Sequence, residues 1–168
     1  MTIRNFCLTA SFSLGLLAAA SPAWAVCDAT KPTKTPMSRY VIKGGEVYDK
    51  TSNLTWERCS VGQSWADSSG CTGTVLALPF DAAQKQGGKG WRVPSMVELS
   101  TLIAPTCHAP AVNDEAFPGM APDKLAYWTS TSDDAELAWY LISFLDGEIY
   151  DARDYDTARA VRLVRTGP

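Results

Sequence analysis

The chain has 168 residues and carries 15 Lys and Arg against 18 Asp and Glu, a formal net charge of −3 at pH 7. Nucleic-acid binding depends on many Lys and Arg contacts with phosphates, so this charge argues against a nucleic-acid partner. It argues equally against a polyanionic ligand, unless positive charge is concentrated on one part of the surface.

The first 25 residues have the organisation of a cleaved secretory signal peptide. Arg4 supplies the positive charge, residues 12–20 form a short apolar segment, and Ala23 and Ala25 place small residues where signal peptidase cuts. The apolar segment is shorter than the roughly 20 residues of a membrane-spanning helix, which argues against an uncleaved anchor. We therefore predict cleavage after Ala25, a mature chain that does not span the membrane, and export to the periplasm, cell surface or medium.

Four cysteines remain after the signal peptide, and an even number suits an oxidising compartment. Four cysteines allow three pairings, and sequence alone does not choose among them. The Gly- and Ser-rich stretch between Cys59 and Cys71 would close easily as a loop, which favours a Cys59–Cys71 bond together with Cys27–Cys107. A zinc site is the weaker alternative, because the chain has no Cys-x-x-Cys motif and a single histidine.

The mature chain is expected to begin with an extended leader over residues 26–38, which contains two prolines and no apolar periodicity. One domain is predicted over residues 39–168, long enough to bury a core. Its first part, residues 40–56, is rich in aromatic and β-branched residues and contains a Gly44-Gly45 turn. This pattern predicts a β-meander.

Two short helices are predicted in the middle of the domain. The first covers residues 79–86 and ends at Gly87-Gly88. Ser95 and Glu98 have the spacing of a capping box, which predicts the start of a second helix that extends to Ile103. Four apolar residues at helical spacing are predicted to face the core: Met96, Leu99, Leu102 and Ile103.

The last third of the chain returns to strands. Residues 127–130 and 138–144 have strand composition, and Asp146-Gly147 predicts a tight hairpin turn into residues 148–150. Residues 160–165 alternate with a period of two, which predicts a regular terminal strand inside a sheet. The order of strands, helices and strands predicts an α+β fold.

Five short motifs follow one another along the mature chain. They are Leu54-Thr55-Trp56 with Cys59, Gly90-Trp91-Arg92-Val93-Pro94-Ser95 with Glu98-Leu99, Phe117-Pro118, Tyr127-Trp128-Thr129-Ser130-Thr131 with Ala138-Trp139, and Val161-Arg162-Leu163-Val164-Arg165. Together, over about residues 41–165, they resemble the Lcl C-terminal domain family. This family is common in secreted bacterial proteins and is named for a collagen-like adhesin.

The resemblance implies a compact C-type lectin-like domain, with two short helices packed on a curved antiparallel sheet. The best-known member of the family binds sulfated glycosaminoglycans as a trimer. The present chain has no Gly-X-Y collagen repeat to hold a trimer together, and its net charge is negative. Both differences argue against trimerisation and against sulfated glycans as ligands.

An acidic segment around the predicted hairpin is a candidate binding surface, because its carboxylates alternate with tyrosines. Exposed aromatic rings beside carboxylates suit stacking on sugar rings and hydrogen bonding to hydroxyl groups. The predicted ligand-binding residues in this segment are Asp146, Glu148, Tyr150, Asp151, Asp154 and Tyr155. The same carboxylates could bind calcium, although the spacing is not that of an EF-hand loop and a solvated hairpin is the simpler interpretation.

Trp65 is a further candidate ligand-binding residue. It lies among polar residues in the predicted Cys59–Cys71 loop, and an exposed aromatic on a rigid loop is a frequent hot spot. The tryptophans at strand or helix-entry positions are predicted to pack in the core: Trp56, Trp91, Trp128 and Trp139. Arg92 is predicted to form a buried ion pair with Glu98 or a late aspartate.

The sequence has no recognisable catalytic constellation. Its single histidine, His108, follows Cys107, whose predicted disulfide removes the thiolate that cysteine–histidine catalysis requires. We therefore predict a non-enzymatic recognition or adhesion module that binds a glycan or a protein at the cell envelope or surface. The alternative is a structural or accessory subunit of a surface appendage or envelope complex.

Overall fold

The computed structural model describes residues 25–120, 126–136 and 138–168. All but the last residue of the predicted signal peptide lies outside the described residues. Within the described ranges the chain forms eleven strands, two short α-helices and one 3-10 helix. None of the helices in these ranges is long and apolar enough to cross a membrane.

The elements follow one another along the chain with short connections. In order they are β1 (Val26–Cys27), a 3-10 helix (Met37–Arg39), β2 (Tyr40–Lys43), β3 (Glu46–Asp49), β4 (Leu54–Glu57), β5 (Gln63–Ala66), β6 (Gly70–Gly73), α1 (Phe80–Gln84), α2 (Met96–Ser100), β7 (Cys107–His108), β8 (Ala126–Asp133), β9 (Ala138–Ser143), β10 (Glu148–Ala152) and β11 (Val164–Thr166). The mixture of small antiparallel sheets and two helices is consistent with the predicted α+β class.

A four-stranded antiparallel sheet, here called the front sheet, has the strand order β11-β4-β3-β2. The predicted meander forms its β2, β3 and β4 strands, and Gly44 has a φ of 55° in the turn between the first two. Val47 lies opposite Trp56, and Trp56 lies opposite Val164. These three side chains are fully buried, so they mark the inner face of the front sheet.

A second antiparallel sheet has the order β10-β9-β8 and lies between two hydrophobic cores. Tyr127 and Ile142 face the core shared with the front sheet, whereas Trp128 and Leu141 face a smaller core beside α1. The predicted Asp-Gly hairpin joins β9 to β10. Residues 127–129 of β8 and residues 141–142 of β9 are buried, whereas the second half of β8 is polar and largely accessible to solvent.

The two helices are shorter than the patterns predicted. α2 begins with the predicted capping box, in which the Ser95 hydroxyl and the Glu98 carboxylate each accept a backbone N–H. The helix ends at Ser100 instead of Ile103, because the next residues form tighter i to i+3 hydrogen bonds. Leu99 and Leu102 are fully buried as expected, whereas Met96 and Ile103 are only partly buried.

Both disulfides have the favoured pairing. Cys27–Cys107 joins β1 to β7, so the predicted leader contributes a short strand that is tied to the domain. Cys59–Cys71 joins the end of the meander to the β5–β6 hairpin. The segment between these two cysteines is therefore a paired hairpin and not an irregular loop.

The predicted terminal strand is the main error in the fold prediction. Only Val164–Thr166 forms a regular strand, on the edge of the front sheet beside β4. Residues 160–164 are all buried, whereas the alternating pattern predicted one inward face. This segment passes through the interior between the two sheets, and Arg162 is one of its buried residues.

The Arg162 guanidinium is fully buried and holds the chain just after β4. Its Nη1 donates to the carbonyl of Glu57 at 2.8 Å and to that of Arg58, and its Nη2 donates to Ser60 Oγ at 3.3 Å. The group also lies 5.1 Å from the centre of the Phe117 ring. Burial lowers the pKa of Arg162, although an arginine remains charged. A buried cation is therefore stabilised here by backbone dipoles.

A second buried arginine contact stabilises the start of the front sheet. Arg39 donates through Nε to Asp49 Oδ1 at 2.7 Å and also pairs with Oδ2 of this fully buried carboxylate. Burial acts to raise the pKa of Asp49, but hydrogen bonds from Arg39, Ser52 and Thr51 outweigh it and lower the pKa overall. The folded state therefore favours the ionised form of Asp49.

Replacement of Arg162 by Met should lower the free energy of unfolding by about 3 kcal/mol, because buried acceptors lose their donors. Urea denaturation of the oxidised protein measures the effect. Arg153→Met is the matched control, since Arg153 is largely exposed and its surface ion pairs contribute little, within about 0.5 kcal/mol. Equal effects of the two substitutions would contradict a central role for Arg162.

Asp49→Asn should lower the unfolding free energy by about 3 kcal/mol at pH 7, because it leaves Arg39 buried without its counter-ion. Ionised Asp49 stabilises the fold above its unfolded-state pKa of about 3.9, and this contribution is lost as pH falls through the lower folded-state pKa. The difference between variant and unsubstituted protein should therefore shrink below about pH 4. Denaturation at several pH values, with exposed Asp134→Asn as control, tests this; a pH-independent difference would contradict it.

Candidate functional site

The outer face of the front sheet carries an open cavity of about 460 Å³, here called the front groove. Its floor is formed by the ends of β2, β3 and β4, and its walls carry two tryptophans. The lining residues are Lys43, Gly45, Glu46, Glu57, Cys59, Gln63, Ser64, Trp65 and Trp91. The groove therefore combines aromatic surfaces with charged and amide side chains.

The strand register places the three charged floor residues in one row. Lys43 lies opposite Glu46, and Glu46 lies opposite Glu57. Directly opposite residues of an antiparallel pair point to the same face, so all three side chains leave the sheet on its outer side. The inner-facing neighbours Val47 and Trp56 are buried, which is the alternation that the period of a strand requires.

Trp65 forms one wall of the front groove and is held on several sides. The Arg58 guanidinium lies 3.9 Å from the centre of its ring, and its indole N–H donates to Asp67 at 2.7 Å. Gly45 lies directly beneath it, since a Cβ at that position would be 2.8 Å from Trp65 Cβ. Trp65 is therefore a partly buried, oriented residue of strand β5, which corrects the prediction of an exposed loop residue.

Arg58 fixes Trp65 because each nitrogen of its guanidinium donates to a backbone carbonyl. Nε donates to Ala116 O at 3.0 Å, Nη1 to Gly44 O at 3.1 Å and Nη2 to Glu115 O at 2.8 Å. The side chain is buried and forms no salt bridge with the described residues, although Glu115 is close enough to attract its charge. It connects the turn after β2, the 115–116 loop and the Trp65 ring into one rigid unit.

Trp91 forms the opposite wall. Paired hydrogen bonds between Gly88 and Trp91 close a tight turn, and Arg92 pairs with Val164 on the edge of the front sheet. The Arg165 guanidinium lies 5.3 Å from the Trp91 ring. Trp91 thus packs partly against the smaller core, as predicted, and also lines the front groove, which was not predicted.

Arg92 itself forms the predicted ion pair with Glu98, at 2.6 Å. Its side chain is 44% exposed, however, so the prediction that this pair is buried was wrong. The pair lies at the entrance of α2, where Glu98 also accepts the backbone N–H of Ser95. The ion pair fixes the start of the helix and, because Arg92 directly follows Trp91 in the chain, it also helps to fix the position of Trp91.

The two carboxylates of the front groove differ in their surroundings. Glu46 is paired with Arg165 at 2.9 Å. Glu57 forms no ion pair and accepts no hydrogen bond from the residues that the structure describes. Burial raises the pKa of Glu57 above its ordinary value; Arg162 opposes this and Glu46 adds to it. The groove therefore holds one half-buried carboxylate that can accept hydrogen bonds from a ligand.

Comparison with known proteins places this geometry in a family. The chain matches the Lcl C-terminal domain over residues 45–165, which is 121 of the 168 residues. The chain belongs to the Lcl C-terminal domain family. No curated protein and no solved structure matches it. The family and the two disulfides together suggest an exported, adhesin-related domain.

In this Lcl C-terminal domain the predicted acidic segment forms a separate cavity of about 450 Å³, here called the hairpin cavity. It brings together four of the predicted ligand-binding residues, Asp146, Tyr150, Asp151 and Asp154. Glu148 lies on β10 and is exposed, but it does not line this cavity. Tyr155 packs on Trp139 with ring centres 5.1 Å apart and is also outside it. Trp65 lies in the front groove, so the predicted site residues divide between two places.

The carboxylates of the hairpin cavity are occupied by neighbours within the segment. Asp146 accepts the Tyr150 hydroxyl at 2.9 Å, and Arg153 pairs with Asp151 at 3.3 Å. Asp154 accepts the Thr157 hydroxyl and the backbone N–H of Asp156. Among the described residues, no three His, Cys, Asp or Glu side chains come together in a way that could hold a metal ion. The geometry therefore gives the calcium hypothesis no support.

Sequence reasoning did not identify the floor of the front groove. Lys43, Glu46 and Glu57 are ordinary charged residues at outward positions of a predicted meander, which a solvated face would also contain. The Gly44-Gly45 turn fixes the register of β2 and β3, so it could have placed Lys43 beside Glu46. The proximity of Trp65 and Trp91 depends on packing between distant segments and has no local pattern.

Gly45→Ala should destabilise the protein by about 1–3 kcal/mol, because the added methyl group overlaps Trp65. The same substitution in a Trp65→Gly background should cost clearly less, because both the Cβ and the ring that the new methyl group would overlap are gone. Denaturation of the two single variants and the double variant measures this coupling directly. An identical cost of Gly45→Ala in both backgrounds would contradict the close packing of Trp65 on the turn.

Proposed function

We propose that this domain is an exported, non-enzymatic recognition module with a C-type lectin-like fold, and that its front groove binds a glycan at the cell envelope or surface. One observation carries the proposal: Trp65 and Trp91 face the same cavity above a row of polar side chains. Cavities with aromatic walls and a few converging polar groups are the usual form of small-molecule binding sites.

A sugar ring fits such a groove for two physical reasons. The ring presents C–H groups on its faces, which pack on the apolar surface of an indole, and hydroxyl groups on its edge. Glu57 and Lys43 offer an acceptor and a donor to those hydroxyl groups, and the Gln63 amide, which binds Ser60 N–H and Gly119 O, keeps one lone pair and one N–H. Trp65 is already fixed by Arg58, so binding requires little ordering of the protein.

The carboxylate pair of the groove also raises the question of glycoside hydrolysis, which uses two carboxyl groups on either side of the scissile bond. Glu46 is held in an ion pair with Arg165, and both carboxylates emerge from the same floor of the groove. This arrangement supports binding from one side of a ligand. The proposal therefore excludes turnover, and release of reducing sugar from a bound oligosaccharide would contradict it.

A protein partner is the second candidate, either as a ligand or within an appendage or envelope complex of which this domain is an accessory subunit. It is favoured by the edge strands β2 and β10, which carry exposed apolar side chains, among them Val41, Ile42 and Ile149. An edge strand offers free backbone groups to which a partner strand can be added. Co-purification of an envelope protein with the unmodified chain would support this candidate.

The proposal predicts saturable binding of the oxidised protein to at least one glycan on an array. Trp65→Ala should weaken this binding at least tenfold, because the packing of the sugar ring on the indole is lost. Tyr150→Ala reports on the hairpin cavity and should leave the affinity unchanged. Fluorescence titration of the hit glycan gives both values. The reverse result, with Tyr150→Ala weakening binding and Trp65→Ala neutral, would transfer the site to the hairpin cavity.

A further inference from the structure

The charges around the front groove restrict the kind of ligand that it can accept. The floor presents Glu46 and Glu57 against one cation, Lys43, and the nearby Arg165 is already paired with Glu46. A sulfate or carboxylate group above Glu57 would meet a like charge and would find no cluster of free cations. Sulfated and other acidic glycans are therefore disfavoured at this site.

A cationic ligand is disfavoured for a different reason. The Arg58 guanidinium already occupies one side of the Trp65 ring at 3.9 Å, and its charge is attracted by the ring electrons. A second cation on the open side of the same ring would be repelled by Arg58, and Lys43 adds a further positive charge on the floor. The half-buried Glu57 carboxylate is then best satisfied by neutral donors, such as hydroxyl groups.

The groove also continues along the outer face of the front sheet. A second cavity of about 250 Å³ shares Lys43 and Glu46 with it and extends to Tyr48, whose ring is half-buried on the same face. The hydroxyl of Tyr48 donates to Asn53 at 2.9 Å, which fixes the ring. Aromatic surface is therefore available on both sides of the shared Lys43 and Glu46, over more length than one sugar ring.

We infer that the ligand of the front groove is an unsulfated, uncharged oligosaccharide that spans more than one ring and donates hydroxyl hydrogen bonds to Glu57. This inference rests on the proposed function and specifies the class of ligand. Glu57 is thereby assigned as the specificity-determining acceptor, and Trp65 and Trp91 as the surfaces that hold the first ring.

The experiment uses the oxidised protein and four kinds of probe. These are linear gluco-, galacto- and manno-oligosaccharides, their monosaccharides, heparin as a sulfated chain, and chitosan oligomers as cationic chains. Isothermal titration calorimetry should show binding of at least one neutral oligosaccharide, more tightly than its monosaccharide, heparin or chitosan. Glu57→Gln should then weaken binding of that oligosaccharide at least tenfold, because an ionised acceptor is replaced by a neutral amide.

Glu136→Gln is the matched control, since Glu136 lies in an exposed loop away from the groove and should leave binding unchanged. Glu57→Asp is the second variant, which keeps the charge but withdraws it by one methylene group, and it should also weaken binding. Thermal unfolding of each variant shows that the fold is retained. These results would support the inference.

Three results would overturn it while leaving the proposed function in place. They are Trp65-dependent binding of a neutral oligosaccharide that Glu57→Gln does not change, Trp65-dependent binding of heparin or chitosan more tightly than any neutral probe, and equal affinity for the oligosaccharide and its monosaccharide. Absence of binding to every probe would instead overturn the proposed function itself. The two kinds of failure are therefore distinguishable.

Discussion

The structure depends on one buried guanidinium. Arg162 enters the interior on a segment that is covered from both sides, and its donors end on the Glu57 and Arg58 carbonyls and on Ser60. The Glu57 carboxylate attracts this buried cation without contacting it, so the cation is stabilised mainly by its hydrogen bonds, and these require the chain from Glu57 to Ser60 to keep its position. Folding thereby fixes the local geometry at the end of β4.

The residues that Arg162 holds are also those that build the front groove. Glu57 turns its carboxylate to the floor, Arg58 lies behind Trp65, and Cys59 ties the same corner to the β5–β6 hairpin. The backbone of Glu57 and the side chains of Arg58 and Cys59 therefore have their positions set by buried contacts, and not by the ligand. A preformed site loses little freedom on binding, which favours affinity from a small number of contacts.

Local sequence patterns were sufficient for the parts of this fold that local contacts form. The Gly44-Gly45 turn, the Asp146-Gly147 hairpin and the Ser95–Glu98 capping box each lie within a few residues, and all three are present. The patterns gave wrong or no predictions where packing between distant segments determines the structure. The period-two pattern at the end of the chain predicted one buried face, but packing between two sheets buries both, and the front groove joins segments from three parts of the chain.

The front groove and the hairpin cavity also differ in whether their carboxylates are surrounded by local or by distant segments of the chain. The hairpin cavity has many carboxylates close together in sequence, and for that reason they are satisfied by their own neighbours, as Asp146 is by Tyr150 and Asp154 is by Thr157. The Glu57 carboxylate has no such neighbour among the described residues. The strand directs the carboxylate outward, and Arg162 binds only the backbone carbonyl of Glu57. An acceptor left open by a rigid network retains its full capacity for a ligand, whereas a locally satisfied carboxylate must first lose a bond.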